Sequence, residues 1–298
     1  MISNTSIDLH NEIDLCRKMV ENRLDELVAE TTSGYATLIE AIRYSLLSGG
    51  KRVRAVLCMK FCEAAGGKLE DALDAACAIE MLHVYTLIHD DLPSMDGDDI
   101  RRGKPSNHIA YGEFTAILAG DALQATAFET ISNSNLPADA ILKMIQILAQ
   151  IAGPHGICGG QYLDLSGEGT QHTIDELTEL YALKTSALIS AATRLGVIAG
   201  GGTPEQANAA NEYAQAIGLA FQVRDDILDC IATAEELGKP IGSDAENEKS
   251  TFASILGIEA SEKIVAEETK KAISAINGKF ENTEFLTKIA EVLAERKT

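Results

Sequence analysis

The stretch HDDLPSMDGDDIRRGKPS, from His89 to Ser106, contains dense negative charge followed at once by positive charge. Five aspartates fall within residues 90–99, and two arginines and a lysine follow them. The apolar run EMLHVYTLI leads into the stretch with helical spacing, and Pro93 distorts or ends that helix because proline lacks a backbone donor. Carboxylates crowded on an apolar helix repel one another unless a cation joins them. For this stretch alone, a cation site at the end of a buried helix and a solvated acidic surface both remain open.

A second acidic stretch, GLAFQVRDDILDCI, lies on another apolar helix much later in the chain. Asp225 and Asp229 are about 40° apart on an unbroken helix, and Asp226 flanks them. In the first stretch an unbroken helix would turn Asp96 about 120° away from Asp90, so the proline break is needed to bring Asp96 back. A single acidic cluster is usually solvated surface. Two clusters on apolar helices instead favour a hard divalent cation such as Mg²⁺, whose preferred ligands are carboxylate oxygens.

The rest of the chain has the pattern of an all-α protein. Its 298 residues are 46% hydrophobic, apolar residues recur three and four apart, and short glycine-rich turns separate the segments. We predict a single domain over residues 1–298, a bundle of about ten or more helices. Several segments are apolar on more than one face, which favours a bundle centre or a homodimer interface. The predicted helical segments are 35–47, 53–65, 69–92, 114–132, 138–152, 174–199, 205–230 and 262–276.

Composition also excludes several classes of partner and site. The net charge of −20 and the sequence pI near 4.6 argue against nucleic acid, which attracts clustered basic residues. The long uncharged run at residues 144–163 is broken by Gly153-Pro154, so no membrane span is expected, and the first residues do not predict a signal peptide. Six scattered cysteines predict buried thiols rather than a zinc site at Cys58 and Cys62. Reduced cysteines favour a cytoplasmic protein.

Basic residues accompany both acidic stretches. The loop SGGKRVR stands directly before a predicted helix, whose free N–H groups also favour anions. Taken singly, each of these lysines and arginines is most often a solvated charge, and His83 is most often a core histidine. Next to carboxylates and a divalent cation, they predict a site for phosphorylated substrates, and two sets of them favour two such substrates. The residues are Lys51, Arg52, Arg54, His83, Arg101, Arg102, Lys184, Lys239 and Lys249.

These motifs resemble those of the trans-isoprenyl diphosphate synthases, above all the bacterial-type farnesyl diphosphate synthases. DDLPSMD has the DDxxxxD form of their first aspartate-rich motif, and DDILD has the DDxxD form of the second. GGKRVR, ILAGDAL, GGQYLD, KTSALI and LGKPIGSDAENEKST also stand in family order, between about Ser48 and Leu256. Ala55 and Phe252-Ala253 replace a usual proline and a usual Tyr-Pro, and these departures touch no metal ligand or charged partner.

The resemblance implies an isoprenoid synthase fold around a deep central cavity, usually dimeric, with three Mg²⁺ ions per active site once substrate is bound. The implied metal ligands are Asp90, Asp91, Asp96, Asp225, Asp226 and Asp229. The residues implied to hold isopentenyl diphosphate are Lys51, Arg54, His83 and Arg102. Those implied to hold the allylic diphosphate are Arg101, Lys184, Thr185, Gln222, Lys239 and Lys249. The implied catalytic residues are Asp90, Asp91, Asp96, Arg101, Lys184, Asp225 and Lys239.

The implied activity is condensation of isopentenyl diphosphate with dimethylallyl or geranyl diphosphate to give farnesyl diphosphate and diphosphate. In the family a bulky aromatic five residues before the first motif limits product length, so Tyr85, with Thr86 beside it, predicts fifteen carbons. Geranylgeranyl and geranyl diphosphate are alternative products. A terpene cyclase would carry an Asn-Ser-Glu second motif and no GGKRVR loop. A catalytically silent subunit should have lost aspartates or lysines that this chain keeps.

Overall fold

The computed structural model of the protein describes residues 8–167, 169–231 and 250–296. Helices dominate these residues, so the all-α prediction is confirmed. A 3₁₀ turn (Leu69–Ala72) precedes α4, a π-helical turn (Ala182–Ser186) precedes α10, and strands β1 (Ile100–Arg101) and β2 (Lys104–Pro105) form one hairpin. The helices are α1 (Leu9–Leu27), α2 (Ala36–Leu46), α3 (Val53–Ala64), α4 (Leu73–Asp90), α5 (Asn107–Tyr111), α6 (Glu113–Ser132), α7 (Ala138–Ala152), α8 (Ile157–Ser166), α9 (Ile174–Tyr181), α10 (Ala187–Ala199), α11 (Pro204–Ile231), α12 (Phe252–Leu256), α13 (Ile258–Ile276) and α14 (Glu284–Glu295).

The backbone divides into two compact units. The N-terminal unit consists of His10–Leu148 and Leu195–Gly202. Among the described residues, the C-terminal unit consists of residues 8–9, 149–167, 169–194, 203–231 and 250–296. The first aspartate motif belongs to the N-terminal unit and the second to the C-terminal unit. The prediction of a single domain over residues 1–298 stays a prediction.

Helix α4 packs against α2, α3 and α6 in the N-terminal unit. Most of its residues from Ala75 to Ile88 are buried, as expected of a helix that is apolar on every face. A Cβ added at Gly120 of α6 would lie 2.1 Å from Nε2 of His89, so glycine is what allows the two helices to approach there. The same Nε2 lies 3.0 Å from the carbonyl oxygen of Ile117. The last turn of α4, which carries the first aspartates, is therefore held against α6.

Helix α11 is the long element of the C-terminal unit and packs mainly along α13. Leu177 and Tyr181 of α9 and Val223 and Ile227 of α11 share one buried apolar cluster with Phe252. Each of these side chains contributes about 1.5–3 kcal/mol through removal of apolar surface from water. This cluster fixes the face of α11 that carries the second aspartate motif.

The π-helical turn lies within the segment 174–199, which the sequence predicts to be helical and which is helical throughout. The N–H of Ala187 donates to the carbonyl of Ala182, five residues back, which widens the helix locally. Lys184 and Thr185 lie inside this turn. A Cβ added at Gly160 of α8 would lie 2.4 Å from the backbone nitrogen of Lys184, so glycine allows α8 to lie directly against the turn. Such widened turns are frequent at functional sites because they redirect side chains.

Two surface features bear on assembly and on membranes. Helix α6 exposes Phe114, Ile117 and Leu118, and Phe114 is 75% exposed. By length and composition, residues Ala138–Ser166 and Ile174–Ala199 could each cross a membrane. This is weak support for a span, because 72% of the apolar window in the second stretch is buried, as in a core helix of a soluble protein. The first stretch is not one helix, since α7 ends before α8 begins.

Candidate active site

The first aspartate motif turns back on itself after α4. The N–H of Asp96 donates to the carbonyl of Asp90 at 2.9 Å, and the N–H of Gly97 donates to the carbonyl of Leu92 at 3.1 Å. Gly97 has a φ of +69°, a left-handed conformation that glycine adopts without strain. The turn that begins at Pro93 thus brings Asp96 back beside Asp90, as the proline break predicts. Asp96 is exposed and Asp90 is partly buried, so both carboxylates lie near the surface of their unit.

Asp91 has a different environment from these two aspartates. Its side chain is buried, and its carboxylate accepts from Nε of Arg101 at 2.8 Å and from Nη2 of the same guanidinium. Burial raises the pKa of Asp91 above its usual range, although Arg101 opposes that shift. Arg101 also donates to Asp98 at 2.8 Å. Asp91 therefore anchors the hairpin that carries Arg101, and its predicted role as a Mg²⁺ ligand stays a prediction.

The hairpin places Arg102 over the glycine loop that precedes α3. Arg102 and Gly103 have φ values of +53° and +74°, the pattern of a two-residue type I′ turn, in which both central residues are left-handed. The Arg102 guanidinium donates to the carbonyl of Gly49 at 2.6 Å and lies 3.2 Å from Oγ of Ser48. Two segments that are far apart in sequence, residues 48–50 and 100–105, are joined by these bonds.

Arg54, His83 and Arg102 form a basic cluster in the N-terminal unit, which we call the anion site. Nη1 of Arg54 lies 3.4 Å from Nε2 of His83. Burial, followed by the charge of Arg54 and then of Arg102, holds the pKa of His83 well below its usual range, so the ring is neutral near pH 7. Among residues 8–167, 169–231 and 250–296, neither Arg54 nor Arg102 forms an ion pair. The cluster thus has uncompensated positive charge and suits an anion.

The second aspartate motif is held by groups of the C-terminal unit. The buried carboxylate of Asp226 accepts from the hydroxyl of Tyr181 at 2.9 and 3.0 Å and from the N–H of Phe252 at 2.9 Å. Asp225 forms an ion pair with Arg296, whose guanidinium lies 3.7 Å from the ring centroid of Phe221. Asp226 therefore joins α11 to α9 and α12, while Asp225 is paired with a residue that follows α14.

A cavity of about 260 Å³ adjoins this motif within the C-terminal unit. Lys184, from the π-helical turn, forms an ion pair with Asp164 of α8. The hydroxyl of Thr185 donates to Oε1 of Gln222 at 2.9 Å, which orients the Gln222 amide. Much of the charge around this cavity is negative. Its charged and amide side chains include Asp164, Lys184, Gln222, Asp225, Asp226 and Asp229.

The donor chemistry of both motifs fits Mg²⁺. Within the part of the chain that the structure describes, no group of three or more His, Cys, Asp or Glu side chains is arranged to hold a metal by itself. Mg²⁺ usually takes one or two carboxylates and keeps water or substrate phosphate as its other ligands. Asp90 with Asp96, and Asp225 with Asp229, offer such pairs of oxygen ligands. The residues would therefore hold Mg²⁺ together with a diphosphate rather than in an all-protein cage.

Two contacts of the site could not be predicted from the sequence, and two predicted site residues are not among the described residues. Lys239 and Lys249 fall outside the described residues. The GGQYLD motif contains Asp164, but nothing in its spacing indicates that Asp164 pairs with Lys184. Arg296 lies 71 residues after Asp225, so no local pattern connects them. Arg101 lies in the N-terminal unit, whereas Lys184, Thr185 and Gln222 lie in the C-terminal unit.

Comparison with known proteins places this geometry in a family. The family model described as polyprenyl synthetase matches residues 35–293. A geranylgeranyl diphosphate synthase from Cyanophora paradoxa is 47% identical over 270 residues, which are 88% of this chain and 89% of that protein. A farnesyl diphosphate synthase from Geobacillus stearothermophilus is 40% identical over 283 residues, 94% of this chain and 95% of that protein. The crystal structure of an FPP/GFPP synthase from Zymomonas mobilis has a TM-score of 0.86 at 33% identity and covers 97% of this chain, with 100% of its own chain covered. The chain therefore belongs to the polyprenyl synthetase family and is a prenyltransferase.

Proposed function

We propose that this prenyltransferase condenses isopentenyl diphosphate with dimethylallyl or geranyl diphosphate and releases farnesyl diphosphate and diphosphate, with Mg²⁺ bound. The observation that carries the proposal is the anion site of Arg54, His83 and Arg102, which has positive charge without a carboxylate partner in the described residues. An enzyme that only ionised one allylic diphosphate would need no second anion site. A condensing enzyme needs one for each diphosphate.

The assignment of substrates follows the two sets of basic residues. Isopentenyl diphosphate is assigned to Lys51, Arg54, His83 and Arg102. The allylic diphosphate is assigned to Arg101, Lys184, Thr185, Gln222, Lys239 and Lys249. Because the His83 ring is neutral, it can accept from Arg54 and direct the remaining N–H groups of that guanidinium towards the ligand. Bound Mg²⁺ would supply Lewis-acid stabilisation of the charge that develops on the leaving diphosphate.

The proposed chemistry needs no protein nucleophile. The allylic C–O bond breaks, its electron pair leaves with the diphosphate, and Arg101 and Lys184 stabilise the added negative charge. The double bond of isopentenyl diphosphate then attacks the allylic cation at its terminal carbon. A proton leaves the condensed product to the departing diphosphate, which restores a double bond. Water would quench the cation, so the residues must also exclude water while it exists.

Tyr85 supports a product of fifteen carbons. It is 7% exposed, and its ring lies edge-on to the ring of His89, with centroids 5.5 Å apart and an angle of 89° between the planes. His89 is in turn held against Ile117 and Gly120 of α6, so Tyr85 packs against a fixed neighbour. The hydroxyl of Thr86 donates to the carbonyl of His83 at 2.8 Å, inside the same helix. A fixed aromatic one turn before the aspartates is suited to stop a growing prenyl chain.

Geranylgeranyl diphosphate, with twenty carbons, is an equally supported alternative product. The relative from Cyanophora paradoxa that is 47% identical is named a geranylgeranyl diphosphate synthase, while the relative from Geobacillus stearothermophilus is named a farnesyl diphosphate synthase. Identity over the whole chain therefore does not separate the two products. Tyr85 is the local feature on which our preference for fifteen carbons rests.

We further propose a cytoplasmic homodimer that neither spans a membrane nor binds nucleic acid. Support for a dimer comes from the apolar face of α6, where Phe114, Ile117 and Leu118 are exposed together. Covering such a face with a second copy removes apolar area from water. Support for the absence of a nucleic-acid partner is the net charge of −20.

Product chromatography tests this function directly. The purified protein is incubated with Mg²⁺, labelled isopentenyl diphosphate and either dimethylallyl or geranyl diphosphate, and the products are then hydrolysed to alcohols. A dominant fifteen-carbon alcohol is the expected result. A dominant twenty-carbon alcohol would retain the chemistry and reject Tyr85 as the stop. No condensation by the purified protein would reject the proposed activity and favour a catalytically silent subunit.

A further inference from the structure

Arg52 and Glu80 form a buried ion pair next to the anion site. Nη1 of Arg52 lies 3.1 Å from Oε2 of Glu80, and the two side chains are 1% and 2% exposed. Arg52 is one of three basic residues in the GGKRVR loop, but its side chain is buried and cannot contact a ligand that enters from solution. Lys51, directly before it, is exposed. The charge of Arg52 therefore serves another purpose than binding a diphosphate.

The pair joins three helices of the N-terminal unit. Nη2 of Arg52 donates to the carbonyl of Leu46, the last residue of α2, at 2.5 Å. Oε1 of Glu80, on α4, accepts from the N–H of Ala55 in the first turn of α3 at 3.3 Å. A buried ion pair is tolerated when further hydrogen bonds satisfy its atoms. Both Nη atoms of Arg52 and both oxygens of Glu80 are bonded, and of this pair only Nε of Arg52 is buried without a partner in the described residues. The bonds reach the end of one helix and the start of another. The positions of α2, α3 and α4 at this point are therefore coupled through two side chains.

The backbone of Arg52 is in a conformation that needs such support. Its φ of +49° and ψ of 30° are left-handed, which costs a residue with a Cβ about 1–2 kcal/mol. Its carbonyl accepts from the N–H of Val56 at 3.0 Å, so Arg52 is the residue from which α3 starts. The buried guanidinium holds the chain in this conformation. The direction in which α3 leaves the loop thus depends on the side chain of Arg52.

Two of the three residues of the anion site, Arg54 and His83, lie on α3 and α4, the helices that the Arg52–Glu80 pair joins. Glu80 and His83 are three residues apart on α4 and so lie on neighbouring positions of one face. Arg54 lies in the first turn of α3, one residue before Ala55, whose N–H is bound by Glu80. The 3.4 Å separation between Arg54 and His83 is therefore set by the same contact of α3 with α4 that the Arg52–Glu80 pair fixes.

The two arginines of the GGKRVR loop differ in whether a carboxylate neutralises them. Glu80 neutralises Arg52, whereas Arg54 and Arg102 form no ion pair in the described ranges, 8–167, 169–231 and 250–296. One arginine of the loop is thus used inside the protein, and its neighbour two residues on keeps its charge for a ligand.

We propose that Arg52 and Glu80 are positioning residues for isopentenyl diphosphate, which hold Arg54 and His83 at the spacing that one diphosphate group requires and do not touch the ligand themselves. This inference rests on the proposed function, because it takes the anion site to be the isopentenyl diphosphate site. Loss of the pair should weaken binding of that substrate while the handling of the allylic diphosphate stays unchanged.

Two variants test the proposal by kinetics. Glu80→Asp keeps the charge and shortens the side chain by one methylene, so a change in binding reports geometry rather than charge. The double variant Arg52→Met/Glu80→Met removes both charges, and apolar replacement of a buried pair often leaves stability unchanged. We expect the KM for isopentenyl diphosphate to rise about tenfold in the double variant and less in Glu80→Asp, with kcat and the allylic KM changed by less than about twofold. A loss that is merely structural would change all three constants together.

A matched control comes from another ion pair of the same unit. Nε of Arg23 lies 2.9 Å from Oδ1 of Asp74, and this pair joins α1 to α4 without a bond to the GGKRVR loop. Arg23→Met/Asp74→Met should leave the KM for isopentenyl diphosphate unchanged. An equal rise of that KM in the control would overturn the proposal, because any lost bridge to α4 would then have the same effect.

Calorimetric titration separates failure of this inference from failure of the proposed function. Isopentenyl diphosphate is titrated into the wild-type protein and each variant without an allylic substrate. Wild-type binding that weakens about tenfold in the double variant supports the positioning role even if no condensation occurs, in which case only the proposed activity fails. Unchanged binding in folded variants overturns the positioning role, and no binding by the wild-type protein overturns both. If the double variant does not fold, Glu80→Asp decides by the same criterion.

Discussion

Tyr181 and Tyr213 allow the support of the second aspartate motif to be measured with one chemical change. Both tyrosines are buried and both hydroxyls donate to an oxygen within the C-terminal unit. Tyr181 donates to the carboxylate of Asp226 at 2.9 and 3.0 Å, whereas Tyr213 donates to the carbonyl of Leu286 at 2.8 Å. A hydrogen bond to a charged group contributes about 1.5–3 kcal/mol to stability and one to a neutral group about 1 kcal/mol. Tyr181→Phe should therefore cost about twice as much unfolding free energy as Tyr213→Phe.

Urea denaturation of the two variants and the wild-type protein, without Mg²⁺, gives the comparison. Activity at varied Mg²⁺ adds a second reading, since Asp226 is beside Asp225 and loses its bond to α9 only in Tyr181→Phe. We expect the Mg²⁺ concentration for half-maximal activity to rise in Tyr181→Phe and to stay unchanged in Tyr213→Phe. Equal losses of stability in the two variants would refute a charged acceptor at Tyr181. Equal Mg²⁺ requirements would refute a link from Tyr181 to the metal.

Three further predictions follow from the described contacts. Tyr85→Ala removes the fixed aromatic before the first motif and should lengthen the product, and chromatography showing an unchanged fifteen-carbon alcohol would reject that role. Arg296→Ala removes the guanidinium that is paired with Asp225 and that competes with a cation for this carboxylate. Partly exposed ion pairs contribute about 0.5–1 kcal/mol, so half-saturation of the apoprotein by Mn²⁺ should occur at about two- to fivefold lower concentration. Electron paramagnetic resonance measures this saturation. An unchanged or weaker Mn²⁺ affinity contradicts this competition. The pKa of His83 is depressed in the folded state, so the neutral ring contributes to stability above the unfolded pKa of about 6.5, and this contribution is lost as pH falls below that value. Urea midpoints should therefore fall less between about pH 7 and pH 5 in His83→Gln than in the wild-type protein. Parallel dependence of the two midpoints on pH would contradict the depressed pKa.

Helical periodicity was sufficient to predict most of the long elements, because each buries one or more apolar faces. The predicted segment 205–230 corresponds to α11, Pro204–Ile231, and segment 138–152 corresponds to α7. Segment 174–199 is helical throughout, as predicted, but a π-helical turn (Ala182–Ser186) lies within it. The sequence gives no sign of that turn, which depends on how closely α8 approaches at Gly160. The position of the π-helical turn therefore depends on a contact between helices and not on the local sequence pattern.

In the candidate site, too, local features could be predicted from the sequence and long-range contacts could not. The return of Asp96 to Asp90 follows from the proline and lies within a few residues, so local reasoning predicts it. The burial of Arg52 does not follow from the sequence, because nothing in GGKRVR distinguishes Arg52 from Arg54. Arg52 is buried through its ion pair with Glu80 of another helix. The same holds for Asp91, which resembles Asp90 in sequence but faces Arg101 of the hairpin. Such roles depend on long-range packing.

The proposed reaction requires that this chain bind two diphosphates and join their carbon chains. Diphosphate release from geranyl diphosphate can be measured with Mg²⁺, with and without labelled isopentenyl diphosphate. We expect release to depend on isopentenyl diphosphate and to equal, molecule for molecule, the isopentenyl label found in prenyl product. Release at the same rate without isopentenyl diphosphate, with no label incorporated, would refute condensation and indicate an enzyme that only ionises the allylic substrate.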